Sequence, residues 1–150
     1  MILRKRGFCG IGIFQPSKDT NIGGLFRSAY AFKTDMLFTI GKKYFKNSAD
    51  TVQSIRHIPY FHFEDYNDFI SHLPKDSILI NVEKTDKSIA LEKFSHPERA
   101  IYLLGNEGYG IPAKYLGHPT THITTEVCLN VATAGSIVLY DRAMKCRGNL

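Results

Sequence analysis

The chain has 150 residues, 43% of them hydrophobic and 22% charged, which predicts one globular domain over residues 1–150 because two halves would be too small for good cores. Its formal charge of +5 favours polyanions such as RNA, whose phosphates Lys and Arg neutralise. The longest apolar runs are a few residues, which excludes a membrane-spanning helix of roughly 20 residues and also a signal peptide behind the basic cluster Met1–Arg6.

Strand-like and helix-like segments alternate along the chain. In chain order the pattern predicts a strand over Phe8–Phe14, a helix over about Asn21–Phe32, a strand over Met36–Ile40, a short helix over about Ser48–Arg56, a strand over Tyr60–Phe63, a helix over Tyr66–Leu73, strands over Ser77–Val82, Ala100–Leu104 and Thr121–Ile123, and a helix over Val131–Arg147. Thr20 or Asn21 is expected to cap the first helix. The alternation predicts an α/β fold, a mostly parallel sheet flanked by helices, with ligands beyond the carboxyl ends of the strands.

The cysteines and histidines suggest no metal site. The three cysteines are far apart, form no CxxC pair and predict reduced thiols in a cytoplasmic protein: Cys9, Cys128 and Cys146. His118 and His122 are four residues apart, but Pro119 between them argues against a helical pair of ligands. Cys128 is expected to be a packed pocket residue rather than a nucleophile, because no base partner is evident.

The segment Asn21–Phe32 places two glycines, Gly23 and Gly24, in the first turn of a predicted helix. Each is unfavourable there by roughly 1 kcal/mol relative to alanine. One explanation is a phosphate or ribose at the helix N-terminus, with Arg27 as a planar cation beside it. The other is a close contact between helix and strand, with Arg27 in solvent.

The segment Ile101–Pro112 runs from a predicted buried strand into a loop with three glycines. Such a loop can surround a small ligand with backbone amides while Glu107 orients a polar group. It can equally be an ordinary connection from a strand to a helix.

The segment Glu126–Ser136 leads into the last helix. Asn130 is a suitable N-cap for that helix. The small residues Ala132–Ser136 leave one helix face open to close packing by another helix, a loop or a ligand.

Together and in this order, the three segments resemble the SpoU-type branch of the SPOUT superfamily of RNA methyltransferases. Its N-x-G-x-x-x-R-x-A pattern matches Asn21–Ala29, its G-N-E-G-x-G loop matches Gly105–Gly110, and its L-N-V-A segment matches Leu129–Ala132. The resemblance covers about Phe8–Lys145. The chain departs from the family pattern where a serine and a glycine are usual: Cys128 and Lys33.

The resemblance implies a deep trefoil knot towards the C-terminus, which sequence physics alone would not predict because knots are nearly absent among folds. It also implies a homodimer, with the RNA site lined by both subunits. The cofactor would be S-adenosylmethionine, held by the knotted loops at Leu104, Gly105, Asn106, Glu107, Gly108, Gly110, Ile123, Cys128, Leu129 and Asn130.

The resemblance further implies methylation of a ribose 2′-hydroxyl, with Asn21, Arg27, Glu107 and Asn130 as the catalytic group. A guanidinium stays protonated and is therefore an improbable base. We expect Arg27 to bind a neighbouring phosphate and stabilise developing negative charge. Asn21 and Glu107 are expected to hold the geometry of the site, and Asn130 to fix the cofactor loop.

Several alternatives stay open at this point. A non-catalytic RNA-binding module has no evident need for all four of these residues, and a nucleotide-binding protein would require a GxGxxG turn or a P-loop that the sequence lacks. Base methylation and a ribosomal RNA substrate are further alternatives, although a chain without an appended RNA-binding domain favours a compact RNA such as tRNA. The basic segment Lys42–Lys46, with Arg56, either binds RNA or is a solvated loop.

Overall fold

A computed structural model describes residues 7–146; the basic cluster at 1–6 and residues 147–150 lie outside the described residues. Seven strands form one sheet in the order β3-β2-β1-β6-β4-β7-β5, and every pairing is parallel. The strands are β1 (Phe8–Phe14), β2 (Met36–Ile40), β3 (Tyr60–Phe63), β4 (Ile78–Val82), β5 (Ile89–Ala90), β6 (Arg99–Leu104) and β7 (Thr120–His122). The predicted α/β fold is confirmed.

Three helices cover the two faces of the sheet: α1 (Asp19–Ala31), α2 (Tyr66–Ser71) and α3 (Val131–Lys145). On one face Ile11 belongs to the same core as Leu25 of α1 and Val138 of α3. On the other face Phe38 of β2 stacks on Phe69 of α2, with ring centroids 4.7 Å apart. Successive residues of the central strands therefore feed two separate cores.

The glycines of β1 permit close approach, as the sequence predicts. A side chain at Gly12 would collide with the carbonyl oxygen and ring of Phe38 on β2. One at Gly10 would come within 2.7 Å of Ile101 Cδ1 on β6. The central strand is therefore confined on both sides by its neighbours.

The small residues of α3 pack against α1. A side chain at Gly135 would overlap Leu25, and Ser136 Oγ donates to Ser28 Oγ over 2.7 Å. Of the occupants considered for that face, another helix fills this part of it. The packing fixes the start of α3 relative to the start of α1.

A buried polar cluster fastens the other end of α3 to the segment before β6. His96 has a fully buried side chain that bonds the Tyr102 hydroxyl through Nδ1 (2.6 Å) and Asp141 through Nε2 (2.7 Å). Arg142 donates to the carbonyl oxygen of Glu98 over 2.9 Å. No local sequence pattern marks these residues.

Some predicted boundaries were wrong. The helix over Ser48–Arg56 is only a 3₁₀ turn at Ser54–Arg56, because Gln53 has a left-handed backbone (φ 52°) that no α-helix can contain. The short strand β5 was not predicted, and β7 begins and ends one residue earlier than expected. The helix α2 ends at Ser71 rather than Leu73.

In the sheet β4 lies between β6 and β7. The chain therefore crosses β4 on its way from β6 to β7, and it then continues into α3. This crossing is consistent with the trefoil knot implied by the resemblance, and the knot itself stays a prediction. Within residues 7–146 no helix combines the length and apolar character needed to traverse a bilayer. The three cysteines, all in the described part, form no disulfide.

Candidate active site

The carboxylate of Glu107, in the loop after β6, lies at the first turn of α1. It accepts hydrogen bonds from the backbone N–H groups of Ser17 (3.0 Å) and Lys18 (2.9 Å) and from Asn21 Nδ2 (3.0 Å). Backbone N–H groups at a helix start have no partner within the helix, and a negative charge there interacts favourably with the helix dipole. A loop 86 residues away in sequence thus anchors the entry to this helix.

The prediction of a local cap for α1 was wrong. The helix begins at Asp19, with Lys18 at the N-cap position and no side-chain cap bond from that residue. Neither Thr20 nor Asn21 occupies that position. Glu107 instead anchors the two residues that lead into the helix, through the backbone N–H groups of Ser17 and Lys18.

The surroundings of Glu107 hold it in its charged form. Burial raises the pKa of this carboxyl, but hydrogen bonds from Ser17, Asn21 and Lys18 outweigh burial and lower the pKa from 4.5 to about 2. A carboxylate with so low a pKa is a poor general base at neutral pH. Glu107 is therefore equipped to hold structure in place rather than to accept a proton.

The side chain of Asn21 links Glu107 to the start of α3. Asn21 is 7% exposed, and its Oδ1 accepts from Asn130 Nδ2 over 2.8 Å while its Nδ2 donates to Glu107. Asn130 in turn caps α3 by accepting from Ala132 N (2.9 Å) and Thr133 N (3.2 Å), which confirms its predicted N-cap role. Three of the four predicted catalytic residues thus form one hydrogen-bonded chain.

The loop 105–110 is closed on itself by Asn106. Asn106 Oδ1 accepts from Gly108 N over 2.6 Å, and its Nδ2 donates to the carbonyl oxygen of Gln15 over 2.6 Å at the end of β1. The backbones of Asn106 and Gly110 exchange two further bonds, of 3.1 and 2.9 Å. A side chain at Gly105 would collide with the backbone of Gly110, so this glycine is required by a close approach.

Glu83, directly after β4, supports the far side of this loop. Its Oε2 accepts from Ile111 N over 2.9 Å and occupies the space that a side chain at Gly110 would need. Gly110 also has a positive φ of 72°, which L side chains rarely adopt. Glu83 was missed by the sequence analysis, and its position at the carboxyl end of a buried strand is the signal that identifies it.

A cavity of about 300 Å³ opens beyond the carboxyl ends of β4 and β7. It is lined by Val82, Glu83, Lys84, His122, Ile123, Thr125, Glu126, Val127, Cys128, Leu129 and Ala134. Three predicted cofactor residues line it: Ile123, Cys128 and Leu129. Cys128 is exposed rather than packed, contrary to expectation.

The other predicted cofactor residues lie outside this cavity. Glu107 and Asn130 belong to the hydrogen-bonded chain, while Gly110 of the loop lies beside Glu83 of the cavity wall. Leu104 is buried beside the Gly135 position of α3. The predicted cofactor residues that do not line the cavity are Leu104, Gly105, Asn106, Glu107, Gly108, Gly110 and Asn130. Their cofactor role stays a prediction.

The lining is chemically suited to S-adenosylmethionine. Ligand cavities start at about 300 Å³ and are mostly apolar with a few polar groups. Val82, Ile123 and Leu129 provide apolar walls for an adenine, and the carboxylates of Glu83 and Glu126 favour a cationic sulfonium. The residues present therefore fit the group.

Arg27, the fourth predicted catalytic residue, is exposed and stands apart from this chain of hydrogen bonds. Among residues 7–146 its side chain forms no hydrogen bond or ion pair. It follows Gly23 and Gly24 by about one turn of α1. A side chain at Gly23 would come within 3.1 Å of Asn47, and one at Gly24 within 3.3 Å of Ala132. The two glycines thus serve packing against a loop and a helix.

A model of the family described as the SpoU rRNA Methylase family matches residues 10–140. The chain belongs to the SpoU methylase family. This match confirms the family that the three motifs resemble. The fold that the family implies, an α/β fold with a parallel sheet flanked by helices, is confirmed as well. Methylases of this family draw their methyl group from S-adenosylmethionine.

Relatives and solved structures of the SpoU family resemble the chain over most of its length. A tRNA (guanosine(18)-2′-O)-methyltransferase of Saccharomyces cerevisiae is 28% identical over 127 residues, which are 80% of this chain but only 8% of the yeast protein. A structure described as giving insights into the 2-OH methylation of C/U34 on tRNA is 22% identical, with a TM-score of 0.81 and coverage of 95% of this chain and 99% of its own. The SpoU methyltransferase AviRb from Streptomyces viridochromogenes, in complex with AdoMet, is 18% identical, with a TM-score of 0.81 and coverage of 97% and 63%.

Proposed function

We propose that the chain transfers a methyl group from S-adenosylmethionine to a ribose 2′-hydroxyl of tRNA. The observation that carries the proposal is the hydrogen-bonded chain from Glu107 through Asn21 to Asn130, which joins the three family motifs at one end of the sheet. A module that only binds RNA has no need for such a chain next to a cavity that suits the methyl donor. The named activities of the yeast and tRNA-modifying relatives support the choice of reaction.

The donor supplies a methyl group on a sulfonium cation, held by the walls of the 300 Å³ cavity. Because a sulfonium is already a reactive donor, positioning of the ribose hydroxyl supplies much of the acceleration. Asn130 holds the start of α3, and Glu107 with Asn106 holds the loop 105–110. These residues hold the loops of the site in position and take no part in proton transfer.

Arg27 contacts the RNA in this proposal. Its guanidinium has no partner among the described residues, is exposed, and lies on the helix whose first turn belongs to the site. A fixed cation there binds a phosphate in a two-pronged geometry and stabilises the negative charge that develops on the ribose oxygen. The proton of the hydroxyl leaves to solvent, since Glu107 is too weak a base and Arg27 stays protonated.

We also propose that the enzyme acts as a homodimer in a reducing, cytoplasmic compartment. Ile137 and Tyr140, one turn apart on α3, are 36% and 55% exposed, and Tyr30 of α1 is 38% exposed. Apolar side chains exposed on neighbouring helices favour burial against a second copy. Sedimentation analysis of the wild-type chain and of Tyr140→Glu tests this, since the charged variant should be monomeric.

The reaction is tested by transfer of tritiated methyl from labelled S-adenosylmethionine to total tRNA, with ribosomal RNA in parallel, followed by nucleoside analysis. Label in a 2′-O-methylnucleoside of tRNA is the expected result. Arg27→Ala should reduce transfer at least a hundredfold, with Arg27→Lys intermediate and Lys75→Ala, which removes an exposed cation elsewhere, unchanged.

Other outcomes separate the alternatives. Label only in ribosomal RNA would move the substrate to the class that the family description names. Label in a methylated base would exclude the ribose reaction. Cofactor binding without label in either RNA would indicate another substrate or a missing partner protein, and absence of both label and cofactor binding would favour the non-catalytic module. Full activity of Arg27→Ala would contradict the role of that residue.

A further inference from the structure

The segment between β2 and β3, residues 41–59, carries the basic residues of the stretch Lys42–Lys46, and Arg56, on its surface but is anchored by buried side chains. Asp50, which is 4% exposed, accepts hydrogen bonds from Ser54 Oγ (2.7 Å) and Tyr44 OH (3.2 Å). Tyr44 is itself buried, with its ring 5.1 Å from that of Phe26 in α1. Tyr44 therefore fastens the segment to the core, and Asp50 ties two parts of the segment to each other.

A small slot lies on the outer side of this segment. Its volume is about 150 Å³, and its lining is Phe45, Lys46, Asp50, Gln53, Ile55 and Arg56. A second, shallower depression shares Lys46, Asp50 and Gln53 with it and adds polar residues at 47, 48 and 51. The slot thus has apolar walls at Phe45 and Ile55, and the adjoining depression is lined by polar residues.

The cations around the slot are available to a ligand. Lys42 is engaged by Asp19, with 3.2 Å between Nζ and Oδ1. By contrast, Lys46 and Arg56 form no ion pair with any residue in the described range 7–146. The ring of Phe45 is 70% exposed beside them. Lys43 Nζ lies over this ring, 5.3 Å from its centroid. An exposed aromatic ring beside cations is an arrangement that binds single-stranded nucleic acid.

The backbone at the slot is strained. Gln53 is not a glycine, yet it has φ 52° and ψ 63°, in the left-handed region. Such a conformation is unfavourable for a residue with a side chain and persists where the surroundings enforce it, often at binding sites. Here the bond from Gln53 N to the Asp50 carbonyl oxygen (3.1 Å) and the buried Asp50 carboxylate enforce it.

One stripe of α1 connects the slot to the proposed active site. Gly23, Arg27 and Tyr30 follow each other at helical spacing on one face of the helix. At one end of the stripe Gly23 faces Asn47, and at the other the ring of Tyr30 stacks on His57, with centroids 4.6 Å apart. Both contacts are with the β2–β3 segment, so Arg27 lies between them, beside the segment that carries the slot.

We propose that this slot binds an unpaired nucleobase of the RNA substrate, close to the nucleotide whose ribose is methylated. The base stacks on Phe45, while Lys46 and Arg56 neutralise the adjoining phosphates. The inference rests on the proposed function, since it takes the ligand to be the RNA that Arg27 contacts. It assigns substrate recognition to a surface outside the three family motifs.

The test measures fluorescence anisotropy of a labelled oligouridylate and of an abasic oligonucleotide of the same length, without cofactor. Phe45→Ala should weaken binding of oligouridylate about fivefold or more and leave the abasic probe unchanged, because only the base stacks on the ring. Lys46→Ala should weaken the binding of both probes. The plot of log association constant against log salt concentration should also become less steep, by about 0.7. Phe61→Ala and Lys75→Ala, which remove an exposed ring and cation elsewhere, should change neither.

Each other outcome contradicts the slot in a different way. Wild-type binding of oligouridylate that Phe45→Ala leaves intact overturns the slot, and if the wild type still methylates tRNA the proposed function stands. An equal loss on both probes overturns base stacking. Failure of the wild type to bind either probe also overturns the slot, whereas the proposed function is decided separately by methyl transfer to tRNA.

Discussion

Asn130 Nδ2 donates to Asn21 Oδ1 over 2.8 Å, between residues 109 apart in the chain. Each asparagine also serves another element: Asn130 accepts from the first amides of α3, and Asn21 donates to Glu107. With both atoms of its amide engaged, Asn21 has only one orientation that satisfies its partners. The starts of two helices and the loop after β6 are thereby locked to one another.

Because the two asparagines act as a unit, their substitutions should not be additive. We expect Asn130→Ala to lower the free energy of unfolding by about 1 kcal/mol, as loss of an N-cap does. In a double-mutant cycle, Asn21→Ala and Asn130→Ala should couple by at least about 0.5 kcal/mol. Urea unfolding measures both quantities.

The control pair uses a cap far from the site. Asp65 caps α2 by accepting from Asp68 N over 2.8 Å, so Asp65→Ala should cost a similar amount yet add independently to Asn21→Ala. Additive behaviour of the two asparagines would contradict the coupling.

Charge on Glu107 should stabilise the fold in a defined pH range. Burial raises the pKa of this carboxyl, yet the hydrogen bonds lower it from 4.5 to about 2, so its folded pKa is depressed. A depressed pKa contributes stability above the unfolded value, and the contribution is lost as the pH falls from 4.5 towards 2. Glu107→Gln should therefore have a free energy of unfolding about 1 kcal/mol lower than that of the wild type at pH 7. This gap between the two proteins should narrow in acid.

Urea unfolding of both proteins from pH 7 downwards measures this gap. Glu126→Gln, which removes another carboxylate, provides the control and should follow the wild type at every pH. A gap that stays constant into the acid range would show that the amide disturbs packing rather than charge.

The contact between α1 and α3 depends on the absence of a side chain at Gly135. Alanine usually favours a helix over glycine by about 1 kcal/mol, but here its Cβ would overlap Leu25. We expect Gly135→Ala to destabilise the protein by about 1–3 kcal/mol, as overpacking does. Thermal and urea unfolding measure the change.

Gly117 offers a matched comparison, because nothing lies within 4 Å of the position of its Cβ. Gly117→Ala should leave stability unchanged or slightly higher. Equal stability of both variants would mean that α3 can move away from α1 at no cost.

The larger features of the fold are predictable from the sequence because they follow hydrophobic patterning. The main strands alternate with helices, and a parallel sheet brings the carboxyl ends of its strands to one edge. That rule, with the three motifs, is enough to expect Asn21, Glu107 and Asn130 near each other. The two-residue strand β5 has no pattern long enough to detect.

The missed features depend on contacts that no local pattern encodes. Glu107 holds the residues that lead into α1 from a distant loop, and the helix begins two residues before the predicted Asn21. His96 is an ordinary residue in sequence and becomes buried only because Tyr102 and Asp141 converge on it from two elements. Such long-range partnerships appear only once the chain is folded.

The buried His96 should make stability fall in mild acid. Burial lowers its pKa, opposed by the hydrogen bond to Asp141, and the folded pKa lies below the usual 6.5. As the pH falls, the unfolded chain binds a proton at this histidine before the folded chain does. The contribution of neutral His96 to stability is therefore complete above pH 6.5 and is lost as the pH falls below that value. We expect His96→Gln to be less stable at pH 8 and to show a flatter dependence on pH.

Unfolding between pH 8 and 5 measures this dependence. His118→Gln, which removes an exposed imidazole, should keep the slope of the wild type. An unchanged slope in His96→Gln would assign the pH dependence to other groups.

Glu83 should matter for binding of the methyl donor in two separable ways. Its carboxylate holds Ile111 N and forms part of the cavity wall, so Glu83→Ala should release the loop 105–110 and weaken S-adenosylmethionine about tenfold, the loss expected for one charge-assisted hydrogen bond. Glu83→Gln keeps an acceptor for Ile111 but removes the charge. It should weaken the cationic donor more than the neutral product S-adenosylhomocysteine, because only the donor carries the sulfonium. Calorimetric titration of both ligands measures the difference, with Glu64→Gln as a remote control. Equal losses for the two ligands would limit Glu83 to supporting the loop.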